Sequence, residues 1–211
     1  MEHPPAETAP APIRPRERTE RVSAVVAALV MTGFCVTLVV VWPWQGAIPP
    51  IVAAVVAYVA WLKTNYAHPV RSRRVIAAYL CAVAFQLIHM SEEYLAGFPH
   101  DFADLFDTSQ DWTEKSFLLA AVFYMSAVLC LAGAGALYQI RVANYALWFY
   151  ALGLGLVNAI AHFVLPFLEG GYFPGLYTAF GHFVMSVLLI YFLVQESRRL
   201  KAEAATGPAA A

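Results

Sequence analysis

Long apolar runs separated by short polar ones set the pattern of this chain. Val22 to roughly Trp44 holds about twenty apolar residues, enough to cross a bilayer and too many for the apolar stretch of a cleaved signal peptide. The same pattern predicts five more spans, at roughly 48–63, 75–96, 116–139, 144–168 and 175–196. Pro49 and Pro50 stand where the short second span would begin, a position that suits proline. Trp42, Trp44, Trp61, Trp112 and Trp148 fall near span ends, as an interfacial aromatic belt requires. The expected fold is all-α: a polytopic transmembrane bundle of six helices.

Composition agrees. Of 211 residues, 61% are hydrophobic and 13% charged, about half the charged share of a soluble domain. The charges are segregated. Arg14, Arg16, Arg18 and Arg21 precede the first span, and Lys63, Arg71, Arg73 and Arg74 lie between the second and third. Arg141 lies between the fourth and fifth, and Arg198, Arg199 and Lys201 follow the sixth. These are twelve of the thirteen basic residues, with only Lys115 opposite. The positive-inside rule then puts both termini in the cytoplasm. The expected location is a bacterial inner membrane, with membrane lipid as partner. No basic stripe with interleaved aromatics occurs, so nucleic acid is not an expected partner. Cys35, Cys81 and Cys130 sit in apolar runs and read as buried thiols.

The other face is acidic. Residues 97–115 carry Asp101, Asp104, Asp107, Asp111 and Glu114. Phe102, Leu105 and Phe106 have the spacing of a short amphipathic surface helix, with a solvated loop as the alternative. Ala132-Gly133-Ala134-Gly135-Ala136 reads as a close-packing surface between helices.

Ionisable groups inside the spans carry the chemistry, because they are costly in lipid without a partner or a task. His89 is followed three and four residues later by Glu92 and Glu93, spacings that share one side of a helix. His89 and His162 each lie eight residues before the glycine ending their spans, Gly97 and Gly170, and His182 lies eight after Pro174. At helical rise each sits about 12 Å below the outer helix end, so three histidines on three helices share a level. Gln86 shares the His89 face, Asn158 is four before His162, and Thr178 is four before His182. Such neighbours can orient an imidazole through its second nitrogen. Tyr124 lies at similar depth on the fourth span. A lone membrane histidine is more often an interhelical hydrogen-bond partner than a ligand, and a carboxylate pair can be a mere helix-end feature. His89 beside two adjacent carboxylates tips the balance toward a site.

His89-Met90-Ser91-Glu92-Glu93 resembles the motif that names the HXXEE family of membrane proteins. Asn158-Ala159-Ile160-Ala161-His162 is similar to the family's NxxxH motif, and Tyr172-Phe173-Pro174-Gly175-Leu176-Tyr177-Thr178-Ala179 to its YxPGLxTA motif. The resemblance implies a four-helix unit over 76–196 and supports the site while leaving the reaction open. Residues 22–75 then add two transmembrane helices and a basic inner loop, between disordered tails at 1–21 and 197–211.

Two imidazoles and a carboxylate suit zinc with an open position, or non-haem iron. The expected ligands come from His89, Glu92, Glu93, His162 and His182, with Glu92, Glu93 and His182 as candidate catalytic groups. Gln86, Asn158, Tyr124 and Thr178 are the expected supporting residues. The first reading is a metal-dependent enzyme, hydrolase or oxidase, acting on a lipid or amphiphile near the outer face. A metal-free acid–base isomerase of a hydrophobic substrate is the second. A non-enzymatic ion carrier or lipid-binding scaffold is the third, weakened because polar groups are few toward the inner face.

The charge asymmetry makes a topological prediction. A cysteine placed at Asp107 should react with impermeant reagent only from the non-cytoplasmic side; labelling from the cytoplasm would overturn the orientation.

Overall fold

The computed structural model describes residues 15–41, 44–106 and 114–206. The readings made for His3, Trp42, Asp107, Asp111 and Trp112, and for the chain ends at 1–14 and 207–211, lie outside the described residues. Among the described residues seven helices run in order: α1 (Pro15–Val41), α2 (Trp44–Lys63), α3 (Arg73–Leu95), the short α4 (Phe98–Leu105), α5 (114–137), α6 (Arg141–Glu169) and α7 (Leu176–Thr206). All but α4 are long and apolar enough to cross a membrane. Their outward faces carry large apolar side chains, among them Leu29, Val39, Leu131 and Phe180, each more than 60% exposed. A soluble monomer does not display apolar surface on this scale; the chain is an integral membrane protein.

Several boundaries differ from expectation. α1 starts at Pro15 and α7 runs to Thr206, so helix extends into both stretches read as tails. Arginine, glutamate and alanine are good helix formers, and Arg199 pairs with Glu203 one turn on. Pro49 and Pro50 lie inside α2, which starts five residues earlier at Trp44. The two missing N–H groups leave carbonyls free only in the first turns, near the end of the span. Cys81 and Cys130 face outward and Cys35 is half-buried, so the thiols are not core groups. Trp44 is exposed, but Trp61 and Trp148 are buried. Trp61 packs on Tyr66 and Tyr145, and the Trp148 indole donates to Asn65 Oδ1 at 3.0 Å. These two rings close the basic end of the core instead of belting the membrane.

The expected close-packing stretch is present. A Cβ at Gly133 would come within 2.8 Å of Leu80 on α3, and one at Gly135 within 3.0 Å of Ala143 on α6. The main apolar core runs among α2, α3, α5, α6 and α7, through Tyr79, Leu147, Tyr150, Leu189 and Leu193. α1 is held at its rim by the Glu20–Arg141 ion pair, 3.1 Å, and by Tyr58 donating to the Ala24 carbonyl.

The antiparallel pair α3 and α7 forms the axis of the bundle, and each helix seats the N-terminus of the other. Glu196 near the end of α7 accepts from the backbone N–H groups of Arg71 and Ser72, both at 2.9 Å, just before α3. Glu92 near the end of α3 accepts from the backbone N–H groups of Tyr177 and Thr178, at 3.1 and 2.8 Å, in the first turn of α7. The first N–H groups of a helix lack intrahelical partners and attract negative charge, so each carboxylate satisfies orphan donors on the partner helix. Substituting Glu196 by Gln should lower the melting temperature measurably, because a charge-assisted bond becomes neutral; an unchanged melt would show that the Glu196 contact contributes nothing.

Candidate functional site

The polar residues of the spans converge at the end opposite the basic loops. On α3, Gln86, His89 and Glu93 lie on one buried face, as spacings of three and four dictate. α6 supplies Asn158 and His162 immediately after a π-helical stretch, Tyr150–Val157. Such stretches gather at functional sites because the wider turn rotates the residues that follow. α7 supplies Thr178 and His182, one turn apart. Gly175, at φ 93°, turns the chain into α7 and lays its backbone on both imidazoles. A Cβ there would lie 2.5 Å from His162 Cε1 and 2.9 Å from His89 Cε1.

The hydrogen bonds orient His89. The Thr178 hydroxyl donates to Glu92 Oε2 at 2.5 Å. Its one hydrogen is thereby committed, so at its 2.8 Å contact with His89 Nδ1 it accepts. His89 therefore carries a hydrogen on Nδ1, and in the neutral ring Nε2 is a lone pair facing the site. Asn158 Nδ2 approaches that nitrogen at 2.9 Å as donor. Glu93 Oε1 lies 3.4 Å from the same His89 Nε2 and 3.0 Å from His162 Nε2. One ligating atom each from His89, Glu93 and His162 falls within 4.8 Å of the others, and all three residues are buried. The two imidazoles meet edge to face at 4.7 Å between centroids.

The adjacent carboxylates do not share this spot. Successive residues are about 100° apart around a helix, and the first turn of α7 takes Glu92. Besides Thr178 and the N–H of Tyr177, Glu92 accepts from the Tyr172 hydroxyl at 2.8 Å. Partial burial and this bond to the carboxylate push the Tyr172 phenol up to about 12, so it stays a donor at physiological pH. Glu92 thus reaches the site through Thr178, and Glu93 reaches it directly.

His182 is buried beside the group, with its ring 4.7 Å from that of His89. Its nearest backbone partner is the Gly155 carbonyl, while Gln86 Oε1, Ser186 Oγ and His162 Nδ1 have no protein hydrogen-bond partner among the described residues. Tyr124 lies elsewhere: it is 68% exposed on the outward side of α5. Its depth was legible but its face was not, because residues 118–124 are π-helical and shift the register.

An apolar roof closes the site. α4 is the amphipathic helix that its spacing suggested, and it packs on the bundle through Phe98 and Ala103. Phe98 joins Phe117, Leu165 and Phe173 in a second apolar cluster, with Phe102, Leu105 and Phe106 at its edge. The Phe98 and Phe173 rings lie 5.7 and 6.3 Å from His162. Sequence reasoning missed Tyr172, Gly175 and Phe98 as site residues. The first two stood inside the quoted third motif, and the Pro-Gly step was a legible sign of a special turn. Nothing in the sequence marked Phe98.

The chain belongs to the HXXEE family, described as proteins of unknown function with an HXXEE motif: residues 79–191, more than half of the chain, match it. No curated protein and no solved structure matches the chain.

Gly175→Ala should disturb the site more than its size suggests. A left-handed φ costs a side-chain-bearing residue about 1–2 kcal/mol, and the new methyl must displace two buried imidazoles. A lower melting temperature and altered histidine NMR signals are expected; wild-type spectra would contradict the geometry.

Proposed function

We propose that His89, Glu93 and His162 form a metal centre in a membrane-embedded enzyme. The observation that carries this reading is the contact between His89 Nε2 and Glu93 Oε1 at 3.4 Å. Thr178 fixes the hydrogen on the other nitrogen, so Nε2 presents its lone pair toward the site, where Asn158 Nδ2 donates to it and Glu93 Oε1 lies beside it. A shared cation would take the place of the Asn158 hydrogen and use all three donor atoms. Two imidazoles and one carboxylate suit zinc or iron with open coordination positions.

The support for His89 follows a pattern common to metal-ligating histidines, whose far nitrogen is held by a hydrogen bond. Thr178 and Glu92 supply it. Glu92 is in this reading a positioning residue, because the turn into α7 takes up its carboxylate, and Glu93 is the ligand. When bound, zinc or iron would polarise a substrate oxygen as a Lewis acid. His182, buried outside the ligand set with its ring 4.7 Å from that of His89, is the group best suited to exchange a proton with substrate. The surrounding lipid-facing bundle and the apolar roof favour a lipid or amphiphilic substrate from the nearby leaflet.

A metal-free acid–base enzyme is the second reading, and one contact favours it. His162 Nε2 and Glu93 Oε1 at 3.0 Å make an ordinary hydrogen bond with no ion. Elemental analysis separates the two. The detergent-purified protein should carry near one zinc or iron per chain. His89→Ala and His162→Ala should each lose it. Thr178→Val should weaken metal binding roughly ten- to a hundredfold, the range for removing a ligand's hydrogen-bond support. A folded protein that neither contains metal nor takes it up would overturn the metal reading and favour the acid–base one.

A further inference from the structure

The opposite end of the α3–α7 pair holds a separate cleft of about 510 Å³. Three arginines and one glutamate line it, Arg74, Arg198, Arg199 and Glu196, which gives a formal charge of +2. Glu196 is buried and fully engaged. Its Oε1 accepts from the backbone before α3 and from Arg199 Nη2 at 2.9 Å, and its Oε2 accepts from Arg199 Nε at 2.9 Å. That fork consumes the charge of Arg199. Arg74 and Arg198 are exposed and have no ion pair among the described residues. Two uncommitted guanidinium groups therefore border one cleft.

The lining changes character along the helix axis. Val75 is buried just past Arg74 on α3, and Phe192 lies six residues before Arg198 on α7. Six residues is about 9 Å further into the span. A positive rim above an apolar wall matches the polarity of a phospholipid, headgroup outward and first acyl carbons inward. Free phosphate would use the rim alone. Basic pockets between spans at the cytoplasmic side are suited to anionic headgroups, whose lipids enrich that leaflet, and arginine forks match phosphate oxygens.

We propose that this cleft binds the phosphate headgroup of an anionic phospholipid between Arg74 and Arg198, with Phe192 against the adjoining acyl carbons. The site is independent of the histidine–glutamate group at the other end.

Native mass spectrometry of the detergent-solubilised full chain tests it, with phosphatidylglycerol and phosphatidylcholine of matched acyl chains in competition. One preferred phosphatidylglycerol adduct per chain is expected. Arg74→Gln with Arg198→Gln should weaken it roughly thirtyfold, the loss expected for two basic residues at an anionic lipid, and leave the phosphatidylcholine adduct unchanged. Arg21→Gln with Lys63→Gln removes equal charge from the same end of the molecule and should keep the adduct. If the first pair fails to fold, as judged by circular dichroism, Arg198→Gln alone should still reduce the preference. Equal binding of the two lipids would overturn the proposal. So would equal loss in the control pair, no loss in the site variants, or binding of inorganic phosphate as tight as that of the lipid.

Discussion

The structure depends on how one carboxylate at the end of α3 is satisfied. Glu92 accepts four hydrogen bonds from the turn that opens α7: two backbone N–H groups, the Thr178 hydroxyl and the Tyr172 hydroxyl. This anchors α7 to α3 at the level of the site. It also commits the Thr178 hydrogen, and so decides which nitrogen of His89 faces inward. Helix seating and imidazole orientation are one arrangement. The mirror arrangement at Glu196 fixes the other end of the same pair, so both ends of the bundle axis are held by a carboxylate on the partner helix.

Around that axis the bundle sorts its polar groups by end. The basic end is tied by ordinary structural bonds, such as Asn144 accepting from the Val70 N–H at 2.8 Å and Asn65 accepting from Trp148. The Asn144 and Asn65 amide oxygens there have donors, although Asn65 Nδ2 and Trp61 Nε1 have no protein partner. The opposite end differs in that His89, Glu93 and His162 converge on one spot, with Gln86 Oε1 and His162 Nδ1 unpartnered beside them. Buried polar groups left unpaired are expensive and concentrate where a protein binds or reacts with something else. The aromatic roof over His162 lowers the local dielectric and raises the stakes for every charge beneath it.

Much of this was legible in the sequence. The six spans follow from hydrophobicity alone, and the common depth of His89, His162 and His182 follows from counting residues to the span ends. Helical spacing marked Asn158 and Thr178 as neighbours of His162 and His182, but both hydrogen-bond His89 on α3, a partner that spacing within one helix does not reveal. The assignment between Glu92 and Glu93 was not legible, since a helix places both near His89 and only the approach of α7 separates them. Tyr124 misled because a π-helical stretch breaks the count that gives a residue its face. The roof escaped notice because Phe98 acts through tertiary packing, with no pattern of its own. Trp61 and Trp148 show the same limit: position near a span end does not reveal whether a ring faces lipid or core.

The central claim is that His89, Glu93 and His162 hold a metal ion. X-ray absorption at the metal edge, on purified protein, tests it most directly. The account predicts a first coordination shell with two imidazole nitrogens and at least one carboxylate oxygen at about 2.0–2.2 Å, and loss of the metal edge in His162→Ala. A bound metal with no imidazole scattering, or the same spectrum after His162→Ala, would contradict it.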